Sequence, residues 1–416
     1  MKSLISLVSL MSLALPLAAE SCPMSNTFTK LLRDKKLSIA IVGNSVTHGA
    51  KFDKQNIDSF YLDLLDWFKT TFPDAEITAQ TGIIFAIGPE VQVFRMEDKT
   101  FATNPDLVVV EFGAANGAWG ERGRSVTDPA TEGFIRRIRQ HQPEADIFMN
   151  LGLFTTMMDD YRAARTPGTV TFLKSLGKHY GFPIANSGSE MARRILAGDP
   201  WDKFMTDGIH PTQVGYRLHG EVIRSVLDKQ YALYKEEDKR HGDAVILSIN
   251  PKGLAGGSII VPPLPIKNHP IPTTTLTPNP WVNPRLFTGW EATDLGGFQR
   301  GESGRVRFIE GDANAASGKF IAPEGRIVGL FFYNGHSPSE PRANIDVRFD
   351  GAGDWHTFAL EREPCFTEED DPANYLRRLF FGGYGFPGEG FREIDFRATP
   401  NDEARTLRIC GFFVVK

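Results

Sequence analysis

A hydroxyl on a tight turn, an imidazole, and a carboxylate three residues before it are enough for nucleophilic acyl transfer. This chain carries all three. IVGNSVTHG (Ile41 to Gly49) follows the apolar run Leu37-Ser38-Ile39-Ala40 and places Ser45 among small residues where a buried strand should end. TDGIHPTQVGY (Thr206 to Tyr216) sets Asp207 and His210 three apart, with Pro211 suited to the first position of a helix. An imidazole that takes a serine proton needs a carboxylate to hold its tautomer and to stabilise the imidazolium. In a parallel sheet the carboxyl ends of the strands converge on one crevice, so Ser45 can meet an Asp–His pair from a distant loop. Gly-x-Ser alone is a common turn. The order, separation and strand-end position of the two stretches carry the reading.

The elements that must position these residues follow from periodicity. DLVVVEFG (Asp106 to Gly113) and DIFMNLG (Asp146 to Gly152) read as parallel strands buried on both faces. After Asp58-Ser59, either of which could cap, Tyr61, Leu64, Leu65 and Phe68 recur at helical spacing. Further helices are expected over Thr131 to His141 and Val170 to Tyr180, and a last one opening at Pro211 with Val214, Leu218, Val222 and Val226 at intervals of four. Strands alternating with helices predict a parallel sheet covered on both sides. From 250 to 285 nine prolines exclude regular helix and central strand alike, which predicts a Pro-rich linker. Beyond it GRVRFIEG, RIVGLFFYNG, ANIDVRFDG, WHTFALE, REIDFRA and RTLRICGFFVV are short β runs between turn residues, the pattern of an antiparallel sandwich over 286–416.

GNSVTHG near the start and DGIHP near the end of one α/β region resemble the SGNH (GDSL-type) hydrolases, over roughly Lys36 to Gln230. The resemblance implies a flavodoxin-like three-layer α/β/α domain, here assigned to 36–240. It makes Ser45 the nucleophile, His210 the base and Asp207 its orienting partner. The implied oxyanion hole uses the Ser45 amide, the Gly82 amide in AQTGII and the Asn116 side chain in EFGAANG; Gly88 competes with Gly82 for the second place. Two departures stand out. Asn44 replaces the family's usual Asp before the nucleophile, keeping size and hydrogen bonding. Asn116 falls three residues after Gly113 where the family places it two after. Either the loop bulges by one residue, which is the expectation adopted, or Ala115 occupies the donor position. In the second case a donor worth roughly a hundredfold to a thousandfold in rate is lost. His48 and Trp119 are candidate substrate-lining residues, and His219 reads as a surface position on the last helix.

The remaining features bound the function. At 416 residues the chain exceeds one ordinary core, and its 41% hydrophobic and 23% charged content is that of a globular protein. A net charge of -5 with no basic block gives no electrostatic reason to expect nucleic acid or an anionic membrane. HExxH, paired CxxC, a phosphate-binding Gly-rich loop with Lys and the GxSxG elbow are all lacking, so no metal or other cofactor is expected, nor an α/β-hydrolase fold. MKSLISLVSLMSLALPLAAES reads as a signal peptide (1–21), which predicts an exported protein with no membrane-spanning segment. Cys22 raises the question of lipidation, but Ala19-Glu20-Ser21 is a poor box for it; Cys365 and Cys410 could pair. Exported members of such a family commonly act on O-acylated carbohydrate, and the aromatic residues Trp281, Trp290, Phe331, Phe332, Tyr333, Trp355, Phe380 and Tyr384 supply core or sugar-facing surface to the second half. The expected function is a secreted serine esterase removing acyl groups, acetyl first, from carbohydrate through an acyl-serine intermediate. The alternatives are a lipase, lysophospholipase or thioesterase on the same triad, acyl transfer in place of hydrolysis, and an inactive carbohydrate-binding protein.

Overall fold

The computed structural model describes residues 21–49, 59–84, 87–118, 120–249 and 261–287, then the strands and adjoining turns of 292–303, 306–312, 316–321, 325–333, 344–359, 365–368, 371–380, 393–399 and 406–415. The expected leader lies outside them, apart from Ser21.

Five parallel strands form the first sheet: β1 (Lys36–Gly43), β2 (Glu76–Ile83), β3 (Leu107–Glu111), β4 (Asp146–Asn150) and β5 (Ile184–Ala185). Their order is β2-β1-β3-β4-β5, the flavodoxin-like order. Every residue of β3 and β4 is buried, because both faces are covered. Alternate residues serve opposite layers: Val108 and Val110 join one apolar core with Phe134 and Leu173, while Leu107 and Val109 join the other with Phe28 and Phe68. This is the three-layer arrangement expected.

The helices are α1 (Ser25–Arg33), α2 (Ser45–His48), α3 (Phe60–Thr71), α4 (Pro89–Gln92), α5 (Met96–Lys99), α6 (Gly113–Ala118), α7 (Gly120–His141), α8 (Met158–Arg162), α9 (Gly168–Tyr180), α10 (Ser187–Leu196), α11 (Trp201–Phe204) and α12 (Gln213–Ile249). Two expected boundaries differ. α7 starts eleven residues before Thr131 and runs through Pro129, which from sequence reads as a break. α12 starts at Gln213; Pro211 instead bridges Met205, and the Thr212 hydroxyl accepts the Gly215 N–H. Its buried residues include Tyr216, Leu218, His219, Ile223, Leu227, Gln230 and Tyr234; of those expected at intervals of four Leu218 is buried, Val222 and Val226 are half-buried and Val214 is exposed. Steps of four overshoot the 3.6-residue turn, so a stripe drawn at strict fours drifts off the buried face.

The second half contains two antiparallel sheets built from β6 (Arg285–Phe287), β7 (Ala292–Asp294), β8 (Gln299–Ser303), β9 (Val306–Asp312), β10 (Ser317–Ile321), β11 (Arg326–Tyr333), β12 (Asn344–Phe349), β13 (Ala352–Ala359), β14 (Cys365–Glu368), β15 (Asp371–Phe380), β16 (Glu393–Thr399) and β17 (Thr406–Val415). One has the order β13-β12-β16-β10-β7; the other runs β14-β15-β11-β17-β9-β8 with β6 beside β17. Cys365 on β14 is three strands from β17, which carries Cys410. Three spacings come to about 14 Å, roughly twice what a disulfide spans between Cα atoms.

The Pro-rich stretch is pinned rather than slack where it is described. Glu132 of α7, fully buried, accepts the N–H groups of Leu276 (2.8 Å) and Thr277 (2.7 Å), the Thr277 hydroxyl (2.6 Å) and the Tyr180 hydroxyl (2.7 Å). His269 N–H donates to Pro143 O, and its imidazole meets Asp146 at 2.6 Å. Trp281, expected to serve the β half, is buried beside Phe94 in the core of the first sheet, a core that also takes in Val328 and Val415. Proline forbids repeating hydrogen bonds but not burial, so composition could not distinguish a strap from a free linker. Residues 250–260 lie outside the described part. Cys22 is buried too, its thiol donating to Gln230 O at 3.2 Å.

Candidate active site

β1 ends at Gly43 and the chain turns at once into α2, with Asn44 extended as its N-cap and its Oδ1 accepting the Val46 N–H at 2.9 Å. Ser45 is thereby held at the first position of a helix, where its own N–H has no intrahelical acceptor. Two further bonds fix this turn: Ser59, heading α3, donates its hydroxyl to Thr47 O, and Tyr216 of α12 donates to Val46 O at 2.8 Å. The Asp58 side of that cap lies outside the described residues.

The loop before α12 brings the other partners. Asp207 Oδ1 accepts the N–H of Ile209 (2.7 Å) and of His210 (2.8 Å), closing a tight turn. Its Oδ2 meets His210 Nδ1 at 2.7 Å, and His210 Nε2 lies 2.9 Å from Ser45 Oγ. A carboxylate is an acceptor only, so it keeps the imidazole proton on Nδ1 and leaves Nε2 free to take the serine proton. Burial opposes ionisation of Asp207, but the N–H groups of His210 and Ile209 and the imidazole outweigh it and hold the carboxyl below its ordinary range. Trp201 Nε1 donates to Asp207 O at 3.0 Å, and Thr206 N–H to His210 O at 2.8 Å, which stiffen the loop. Residues 165 apart in sequence thus form one continuous proton path.

The two other expected oxyanion donors have partners elsewhere. Gly82 pairs with Val42 inside the ladder, and Ile84 N–H donates to Gly43 O; by the alternation of a parallel pair the Gly82 N–H also faces β1 and is used there. Its glycine is needed for another reason, since a Cβ would sit 2.2 Å from Lys99 O. Asn116 is fully buried in α6, its amide donating to Thr131 Oγ1 at 3.1 Å. Its N–H bonds to Phe112 O at 2.8 Å, so the chain passes from β3 into helix without the expected bulge. Ala115 takes the neighbouring face, beside Gly88, whose added Cβ would lie 3.4 Å from the Ala115 Cβ; the Gly88 N–H itself donates to Glu90 Oε1 at 3.0 Å. We therefore expect Asn116→Ala to change kcat less than tenfold while lowering stability by about 0.5–1.5 kcal/mol through the lost bond to Thr131, whose hydroxyl still donates to Thr127 O. Parallel kinetics and thermal melts check this, a hundredfold loss in kcat with an unchanged melt being the contrary result.

His48 is half-buried on α2, next to the nucleophile turn; Trp119 lies outside the described residues. His219, expected on the surface, is fully buried, with Nδ1 3.0 Å from Asn150 Nδ2, and desolvation depresses its pKa to about 3. The sequence reading missed Glu111. This carboxyl closes the otherwise apolar strand β3, is fully buried, and is pushed up to about 7 by desolvation despite the N–H groups of Ala114, Gly152 and Gly113 and the Asn44 amide. The signal was present: an acid at the end of an all-apolar run must be buried against donors.

Residues 41–218 match the GDSL-like lipase/acylhydrolase family. That segment is a GDSL-like acylhydrolase domain. It contains the end of β1 and all of β2 to β5, together with Ser45, Asp207 and His210, and the enzyme class is that of an ester hydrolase. No curated protein matches the chain in sequence. Among solved structures, a two-domain esterase active on acetylated mannans, co-crystallized with mannopentaose, superposes with a TM-score of 0.68 at 17% identity, covering 96% of this chain and 97% of that one. A second structure of a two-domain esterase active on acetylated mannans gives 0.65 at 18% identity, covering 94% and 96%. The fold of the acylhydrolase domain and of the β region that follows is thus shared along nearly the whole chain. No helix among the described residues is long and apolar enough to cross a membrane.

Proposed function

We propose that this acylhydrolase is an exported esterase that removes O-acetyl groups from carbohydrate through an acyl-serine intermediate. The observation that carries it is the relay Ser45 Oγ–His210 Nε2 at 2.9 Å and His210 Nδ1–Asp207 Oδ2 at 2.7 Å, assembled at the carboxyl end of β1. Ser45 attacks the ester carbonyl as His210 takes its proton. His210 then gives the proton to the departing sugar oxygen, which leaves as the hydroxyl, with the acetyl group on Ser45. Water, deprotonated by His210, attacks the acyl-enzyme, and His210 returns that proton to Ser45 Oγ as the acyl–oxygen bond breaks and acetate is released. Negative charge on the tetrahedral oxygen is met by the Ser45 N–H. The Asp207 carboxylate steadies the imidazolium at both steps.

Carbohydrate as the alcohol half is supported by the shared two-domain architecture with an esterase active on acetylated mannans. Export is supported by the apolar leader. Release of acetate from a panel of acetylated polysaccharides, beside short- and long-chain p-nitrophenyl esters, tests the reading. Acetyl-selective turnover is expected; preference for long acyl chains would replace it with a lipase or thioesterase.

A further inference from the structure

We infer that Gln92 is a positioning residue that fixes the end of β1 for the nucleophile turn, an inference that rests on the Ser45 reading above. Gln92 ends α4 and is fully buried. Its Nε2 donates to Gly43 O at 2.7 Å and to Gly82 O at 3.0 Å, so one amide joins the neighbouring strands β1 and β2 where β1 stops. Gly43 is the last residue of β1, and Ser45 comes two residues later. The peptide unit is planar, so a fixed Gly43 carbonyl also fixes the N–H of Asn44, whose side chain caps α2. The turn has no slack, because a Cβ on Gly43 would collide with Thr47 Oγ1 of α2.

The amide is itself held from its other side. Val91, Val93 and Phe94 enter the apolar core that contains Trp281, Val328 and Val415. Arg137 of α7 donates through Nη1 to Val93 O at 3.1 Å and to Pro284 O at 3.4 Å. The proline-rich strap and the β region thereby brace α4, and Gln92 carries that bracing to β1. Neither carbonyl needs Gln92 in order to be paired. Gly43 O accepts the Ile84 N–H at 3.1 Å, and by the alternation of the parallel ladder Gly82 O accepts the Gly43 N–H. Gln92 Oε1 is buried with no hydrogen-bond partner, which offsets what the two donated bonds add to the fold. Their main effect is then on where the Gly43–Asn44 peptide sits, and a displacement of about 1 Å at a reacting group is enough to cost about a hundredfold in rate.

Two variants test this. Gln92→Met keeps length and burial but removes both donors together with the unpartnered Oε1. Gln92→Glu sets a carboxylate against two carbonyl oxygens when ionised, and regains one donor when protonated. Ser45 reactivity is read by its labelling rate with a fluorophosphonate, beside kcat and KM for p-nitrophenyl acetate. Gln92→Met is expected to slow labelling and kcat roughly 10- to 100-fold, with KM within about threefold and a melting temperature close to that of the wild type. The labelling rate of Gln92→Glu, divided by that of the wild type at the same pH, is expected to rise as the pH falls; the ratio for Gln92→Met should stay flat. Taking the ratio cancels the shared titration of His210. Labelling by Gln92→Met within about threefold of the wild type, or the same pH dependence of the ratio for both variants, overturns the inference. Should Gln92→Met fail to fold, Gln92→Glu decides: a ratio that rises as the pH falls supports the inference, and a flat ratio or a second unfolded protein overturns it. Absence of Ser45 labelling in the wild type removes the Ser45 reading itself, and this inference with it.

Discussion

Ser45→Ala is expected to lower turnover on the order of a millionfold, leaving only what the rest of the site achieves without a nucleophile. The reason lies in the geometry: Ser45 Oγ lies 2.9 Å from His210 Nε2. Alanine leaves α2 intact, because the cap is made by Asn44 Oδ1 and the turn is tied by Ser59 and Tyr216, none of which uses the Ser45 hydroxyl. The variant should therefore fold, melt near the wild type and still bind ester. His210→Ala should cost a similar amount, and the double variant little more, since residues acting as one unit are not additive. Steady-state acetate release by all three proteins checks this. Retention of more than about a thousandth of wild-type turnover by Ser45→Ala means that another group attacks the ester.

Asp207→Asn is expected to reduce kcat about ten-thousandfold with the loop preserved. The Asn carbonyl oxygen can keep the bonds that Asp207 Oδ1 accepts from the Ile209 and His210 N–H groups, so the turn survives. Its NH2 then faces His210 Nδ1, which must become the acceptor, and the ring proton moves to Nε2. There it points at Ser45 Oγ and can no longer receive the serine proton. The carboxylate is held ionised below its ordinary range by the same hydrogen bonds, so the wild type should not lose this function until the pH falls beneath the usual carboxylate region. A kcat–pH profile of the two proteins, with the melting temperature as control, decides. A loss under a hundredfold would make Asp207 a loop-forming residue and not the orienting partner.

Buried titrating groups shape stability separately. Glu111, raised to about 7, binds its proton more tightly folded than unfolded, so its contribution falls as pH rises from about 4.5 to about 7. His219, depressed to about 3, stays neutral when folded, so its contribution is lost as pH falls from about 6.5 towards 3. The two slopes oppose each other between about 4.5 and 6.5.

The sequence by itself determined the α/β domain, its nucleophile turn and its Asp–His loop. These are legible because each is local: a strand is a run of apolar residues, and Asp-x-x-His places both side chains within one turn. What the tertiary structure decided turns on rotation and distance. Whether Asn116 or Ala115 faces the site depends on how β3 passes into α6; one residue of helix is a rotation of about 100°, enough to turn a donor into the core. Gly82 shows the same limit in a strand, where alternation along the ladder sends its N–H to β1. The burial of His219 depends on Asn150, 69 residues away, and the docking of the proline-rich strap on Glu132, over 140 residues from Thr277. Such partners leave no periodic trace, because a buried polar group needs a donor or acceptor in space and not at any fixed spacing along the chain.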